Sequence, residues 1–202
     1  MKYTILTLTL FTLFLACVPE NKEATENTEK KIDSIISLMT IEEKIGQMTQ
    51  VDQQFLDDIQ DISNYAIGSL LSGGGSKPDT NSFEAWANMY DKYQEIAMTS
   101  RLGIPLIYGV DAVHGHNNVK GATIFPHNVG LGCANDYELC RKVSKATAVE
   151  VAATGINWNF SPCIAIPQNE KWGRHYEGYS EHIDIVSNMG EASIIGYQTN
   201  VL

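Results

Sequence analysis

Apolar and polar positions change their period several times along this 202-residue chain. From Tyr3 to Leu15 the residues are apolar, interrupted only by threonines. Residues 18–30 then carry almost no apolar side chain. Ile32, Ile35, Ile36 and Met39 follow at helical spacing. Thr40-Ile41-Glu42-Glu43 is a capping box that opens a second helix, with Ile41, Ile45 and Met48 on its apolar face. Ile67–Leu71 predicts a short buried strand closed by Gly73-Gly74-Gly75. Phe83, Trp86, Met89, Tyr90, Tyr93 and Ile96 give Ser82–Thr99 helical periodicity. Pro105–Val110 predicts a second strand ending on Asp111, and Asp136–Thr154 a helix stopped by Gly155. Ile156–Phe160 predicts a third strand, ended by Ser161-Pro162, and Ser180–Gln198 a last helix.

Strands alternating with helices predict an α/β fold with a parallel sheet and crossover helices. A (β/α)8 barrel and a doubly wound sheet both fit, and each places its site where the polar residues gather here, just after the strands. Three strands do not close an eight-stranded barrel. The reading is therefore either a smaller open fold or an incomplete chain, and the lack of a closing segment after the last helix favours the second.

Composition narrows the classes. With 44% hydrophobic and 19% charged residues the balance is globular. A formal net charge of -10 argues against a nucleic-acid partner, since a phosphate backbone repels an acidic surface. One adjacent basic pair, Lys30-Lys31, lies between Glu29 and Asp33. Lys2 followed by the apolar run reads as a signal peptide over residues 1–16, too short to span a bilayer comfortably. Ala16-Cys17 resembles a bacterial lipoprotein junction, in which the Cys17 thiol is acylated; an ordinary secretory signal with an incidental cysteine is the alternative. Residues 17–31 then form a solvated tether, and the folded body spans 32–202. Cys133, Cys140 and Cys163 show no metal-like spacing and read as buried free thiols.

Two polar loops carry the candidate chemistry. Asp111 stands at a strand's C-terminal end, where a carboxylate either accepts hydrogen bonds from two adjacent sugar hydroxyls or caps a turn. His114 and His116 form a His-x-His pair that could present two imidazoles to a metal ion or be satisfied by loop hydrogen bonds. The second loop, residues 168–179, sets Trp172, Tyr176 and Tyr179 around Arg174. Aromatic faces cover sugar rings and a guanidinium donates to hydroxyls; an Arg174–Glu177 surface pair is the plainer reading. Gly73-Gly74-Gly75 lacks the Lys-Ser/Thr of a phosphate loop, and no Gly-x-Ser-x-Gly elbow is present.

Tyr108-Gly109-Val110-Asp111-Ala112-Val113-His114-Gly115, Thr123–Asn128, Phe160-Ser161-Pro162 and Trp172-Gly173-Arg174-His175-Tyr176-Glu177 are similar to the hallmark segments of glycoside hydrolase family 3. Met39–Met48 resembles that family's opening helix, so the resemblance runs in order from about Ile32 onward. It implies a partial (β/α)8 barrel, the N-terminal portion of the domain, and retaining hydrolysis of β-linked glucosides or oligosaccharides without metal or other cofactor. Asp111 and Arg174 would hold hydroxyls of the terminal sugar. The family's Lys-His pair and Ser-Asp-Trp-like segment have no counterpart string here, so the expectation is a truncated chain, inactive by itself, whose nucleophile lies elsewhere. The protein would be exported to the periplasm or outer membrane, lipid-anchored through Cys17. A glycan-binding surface lipoprotein and a metal-dependent hydrolase using His114 and His116 are the rival readings.

Overall fold

The computed structural model describes residues 22–199. The chain divides into two units, Met1–Met39 and Thr40–Leu202. Within the first lies helix α1, Lys22–Leu38, which begins ten residues before the apolar spacing at Ile32. Residues 22–31, expected as a tether, are thus helical, and those from Glu26 to Ser34 are exposed. A Glu26–Lys30 pair at i,i+4 spacing supports that polar turn. The expected signal segment and Cys17 lie outside the described residues.

The second unit opens with α2, Ile41–Gln47. Its capping box forms as the sequence predicts: Thr40 Oγ1 accepts the Glu43 N–H, and the Glu43 carboxylate accepts the Thr40 N–H. Its apolar face behaves otherwise. Ile41, Ile45 and Met48 are exposed, and Gly46 is the buried residue. The helix is seated through that glycine and through Gln47, whose Nε2 donates to Ala66 O at 2.9 Å.

The remaining elements are β1 (Gln50–Asp52), α3 (Asp61–Asn64), β2 (Ser69–Ser72), α4 (Phe83–Ala97), β3 (Ile107–Val110), α5 (Asn128–Ala134), α6 (Tyr137–Ala152), β4 (Trp158–Asn159) and α7 (Ile183–Gln198). The sheet has four parallel strands in the order β1-β2-β3-β4. Each new strand is added on the same side, as in a barrel wall. A doubly wound sheet would reverse its order at a switch point, and no reversal occurs among the described strands.

Three strands were expected and four are present among the described residues. The extra one, β1, has three residues and neither a hydrophobic run nor a clear alternation. The predicted strand Ile156–Phe160 shrinks to Trp158–Asn159 because asparagine side chains take over the ladder at both ends. Asn157 Oδ1 accepts the Tyr108 N–H at 3.1 Å, and Asn159 Oδ1 accepts the Ala112 N–H at 3.1 Å. Side-chain amides reproduce peptide hydrogen bonding, so pairing with β3 continues without regular strand backbone.

Between the sheet and α4 lies the main core, built on Leu70, Trp86, Tyr93, Ile96, Tyr108 and Val110. Tyr108 is fully buried, stacks on Tyr93 and shares a 2.7 Å hydrogen bond with Ser72. That bond satisfies a hydroxyl that would otherwise be costly to bury. A second cluster, with Leu131, Cys140, Tyr179, Val186 and Met189, joins α5, α6 and α7. Cys140 is buried there as a thiol, but Cys163 is half-buried and Cys133 exposed, so the expectation of buried thiols holds for Cys140 alone.

Candidate active site

Asp111 follows directly on the last residue of β3, and the surrounding backbone is held tightly. Asn118 Nδ2 donates to Asp111 O at 3.1 Å. The next peptide is clamped by Asn159 of β4, whose Oδ1 accepts the Ala112 N–H and whose Nδ2 donates to Ala112 O at 3.2 Å. Gly109, two residues earlier, has no room for a side chain: a Cβ would stand 2.3 Å from Phe160 Cζ. Phe160 therefore packs directly on the β3 backbone below Asp111. Among the described residues, no hydrogen bond reaches the Asp111 carboxylate itself. Burial raises that carboxyl above its ordinary value; Arg174 pulls the other way, and Glu177 and Asp52 add to the rise.

The loop from Ala112 to His127 is stitched by its own side chains. Asn117 Oδ1 accepts the Val113 N–H at 3.2 Å, and the Phe125 N–H donates to His114 O at 2.9 Å. Gly115 has φ +95, and a Cβ there would meet Thr123 O at 2.0 Å, so this turn excludes any other residue.

The two histidines of the His-x-His pair face different partners. His114 Nδ1 lies 3.0 Å from Phe125 O, a carbonyl that only accepts, so that nitrogen carries the proton. Its ring stacks on His127 at 4.0 Å between centroids. His116 is fully buried, edge-on to Trp86 and 3.0 Å from Thr154 Oγ1. Thr154 donates its hydroxyl proton to Val151 O at 2.6 Å, so its oxygen accepts from His116 Nε2–H. Nδ1 of His116 is then a lone pair with no partner, and burial lowers the imidazole's pKa to about 4. The two rings do not converge on one point, and among the described residues no group of three or more His, Cys, Asp or Glu could hold a metal ion.

Arg174 comes from the loop after β4. Its Nε and Nη2 donate to the two Glu177 carboxylate oxygens at 2.7 and 2.5 Å. The pair anticipated as the plainer reading is therefore present, with Arg174 exposed and Glu177 largely covered. This bidentate bond raises the Arg174 pKa and holds that of Glu177 low. It occupies one edge of the guanidinium fork and leaves the Nη1 edge without a protein partner among the described residues. The loop is pinned at several further points. His175 Nδ1 donates to Trp172 O at 2.6 Å, Asn128 Nδ2 donates to Glu177 O at 2.8 Å, and Tyr176 meets His127 edge-on at 4.8 Å. Asp111 and Arg174, 63 residues apart in sequence, thus belong to one electrostatic neighbourhood.

Asp52, which sequence reasoning passed over, completes it. This residue ends β1, Asp111 follows β3 directly, and the Oδ2 atoms of both lie 3.6 Å from the position of a Cβ built on Gly73. Its place after Val51 was the available signal, but a three-residue strand is too short to declare itself by pattern.

The charged and hydrogen-bonding groups thus gather at the C-terminal ends of parallel strands laid down in sequence order, which defines an α/β domain of the TIM-barrel type. Residues 40–202 match the glycosyl hydrolase family 3 N terminal domain, and the chain belongs to that family. It is 36% identical over 184 residues to a lysosomal beta glucosidase of Dictyostelium discoideum, covering 83% of this chain and 22% of that protein. A periplasmic beta-glucosidase of Salmonella typhimurium is 29% identical, covering 83% and 20%. The crystal structure of an exo-1,3/1,4-beta-glucanase from a Pseudoalteromonas species superposes with a TM-score of 0.80 at 41% identity, covering 87% of this chain and 22% of that one. The chain therefore spans about a fifth of the length of these relatives.

Proposed function

We propose that these residues form a sugar-holding wall of a retaining β-glucosidase. Asp111 accepts hydrogen bonds from adjacent hydroxyls of the terminal sugar, and Arg174 donates to the same ring through its Nη1 edge. One observation carries the reading. The Asp111 backbone is clamped from both sides while its carboxylate stays unbonded and accessible, the state of an acceptor prepared for a ligand. Membership of the family and the names of the relatives support β-glucosides as the substrate class. Retaining hydrolysis also needs a nucleophilic carboxylate and an acid/base; neither role is assigned to Asp111, whose part is binding that strengthens in the transition state.

The test is hydrolysis of an aryl β-glucoside by the protein as its own reading frame encodes it. Arg174→Ala should lower kcat/KM by about tenfold to a thousandfold, a loss of transition-state contacts worth about 1.4–4 kcal/mol. Unchanged kinetics, or no hydrolysis by the wild type, defeats the assignment.

We further propose export with a lipid on Cys17, supported by Lys2, the apolar run and the Ala16-Cys17 junction. A periplasmic relative is consistent with export. Metabolic labelling with a fatty-acid analogue should mark the wild type and not Cys17→Ser; equal labelling of both rejects acylation at this residue.

A further inference from the structure

Several glycines here are dictated by the fold. A Cβ would meet Tyr65 O at 1.9 Å on Gly46, Tyr179 O at 1.8 Å on Gly132, and Phe160 Cζ at 2.3 Å on Gly109. Gly73 is of another kind. A Cβ there would make only ordinary van der Waals contacts, with Leu71 Cδ1 at 3.4 Å and with Asp111 Oδ2 and Asp52 Oδ2 at 3.6 Å each. Gly73 is not among the positive-φ residues, and its neighbour Gly74 has nothing within 4 Å of its own built Cβ. Neither collision nor backbone strain requires a bare Cα at position 73.

What the missing side chain leaves open is a particular volume. It follows the C-terminal end of β2, between the carboxylate that ends β1 and the one that follows β3, on the strand-end face where this type of domain takes its ligands. The two acids differ in commitment. Asp52 Oδ1 accepts the Gln54 N–H at 3.1 Å, and its Oδ2 accepts Gln54 Nε2 at 3.3 Å. An ionised carboxylate has about four acceptor positions, so Asp52 keeps capacity for further donors. The ligand suited to this wall is a neutral ring with hydroxyl donors on its rim and a C–H edge that can lie against backbone.

We propose that Gly73 is a specificity-determining contact of the sugar site. Its bare Cα lets the edge of a pyranose ring rest against the backbone, with hydroxyls donating to Asp111 on one side and to Asp52 on the other. Asp52 is thereby a second hydroxyl acceptor of the same ring. The inference rests on reading the site as a sugar pocket.

The test compares wild type, Gly73→Ala, Asp52→Asn and Arg174→Ala in the protein as its own reading frame encodes it. KM and kcat for an aryl β-glucoside, the inhibition constant of glucose, and Tm are measured. Gly73→Ala should raise KM and the glucose inhibition constant by about tenfold or more, the scale of one lost close contact. Its Tm should stay level or rise, because alanine at a tolerated glycine position restricts the unfolded chain. Asp52→Asn should weaken glucose by about threefold to tenfold at unchanged Tm, the scale of one hydrogen bond lost to a charged acceptor. Wild-type KM and glucose affinity in Gly73→Ala overturn the inference while leaving the pocket reading intact. So does a clear drop in its Tm, which would show that folding itself demands the glycine, or a loss confined to kcat. If Asp52→Asn binds glucose like the wild type, the second-acceptor role is overturned. A wild type that neither hydrolyses the glucoside nor binds glucose, or an Arg174→Ala variant without effect, overturns the pocket reading and this inference with it.

Discussion

The loops after β3 and β4 each deliver one charged group to the same neighbourhood, by opposite means. After β3, Asp111 is fixed through its backbone by the amides of Asn118 and Asn159, and its carboxylate is left unbonded. After β4, Arg174 is fixed through its charged head, which Glu177 grips in a bidentate pair at an exposed position. A backbone clamp transmits its strength to the fold. A head-group clamp orients one side chain and contributes little to stability when water competes for it. The β3 loop should therefore be the stiffer and more stabilising of the two, and the β4 loop the more easily altered without unfolding the chain.

The largest expected effect comes from cutting the backbone clamp. Asn159→Ala leaves the N–H of buried Ala112 without its partner and its C=O with only the long 3.5 Å bond from the Tyr197 hydroxyl. With about 1–3 kcal/mol for each unsatisfied buried group, a loss of about 3 kcal/mol is expected in urea unfolding. A change below about 0.5 kcal/mol would show that water replaces the amide and that the β3 loop is not specially held.

A loss of similar or slightly smaller size is expected from pH, through His116. Its pKa is about 4 in the folded protein, against 6.5 as the ordinary value. Above pH 6.5 both states are neutral there and the group has no effect. Between pH 6.5 and 4 the unfolded chain binds the proton and the folded one does not, so stability falls as pH falls. The full penalty is about 3 kcal/mol, reached below pH 4. Unfolding curves at pH 7 and pH 4 should diverge in the wild type and differ less in His116→Gln. Equal acid sensitivity in both would assign the effect to other groups.

The smallest effect tests the other side of the comparison. Glu177→Gln removes the charge from the Arg174 partner and should cost at most about 1 kcal/mol of stability, because Arg174 is exposed. A loss as large as that of Asn159→Ala would erase the distinction between the two loops.

Much of this frame was legible in the residues. The cap of α2, the apolar face of α4, the approximate spans of α6 and α7, and the strands ending just before Asp111 and near Ser72 follow from periodicity and stop signals. Ordered motifs identified the family, and Asp111 and Arg174 were singled out before any geometry. β1 was missed because three residues are too few to show a period, and Asp52 was missed with it. α5, with the sequence Asn-Val-Gly-Leu-Gly-Cys-Ala, was missed because its glycines lower helical propensity. Gly132 within it permits contact with Tyr179 O, a reason that sequence spacing does not reveal.

By itself the sequence determined where most helices and strands lie and which charged residues stand just beyond a strand. These are local properties, set by the period of apolar positions and by capping chemistry. Only the tertiary structure decided which of those residues meet. Parallel register carries Asp52, Gly73 and Asp111 to the same end of three neighbouring strands, although 21 and 38 residues separate them in the chain. The loop after β3 parted His114 from His116, two residues apart, by pointing one ring at Phe125 O and burying the other beside Trp86. The physical reasons differ. Strand pairing sets proximity between distant residues, while a turn around Gly115 sends near neighbours in different directions.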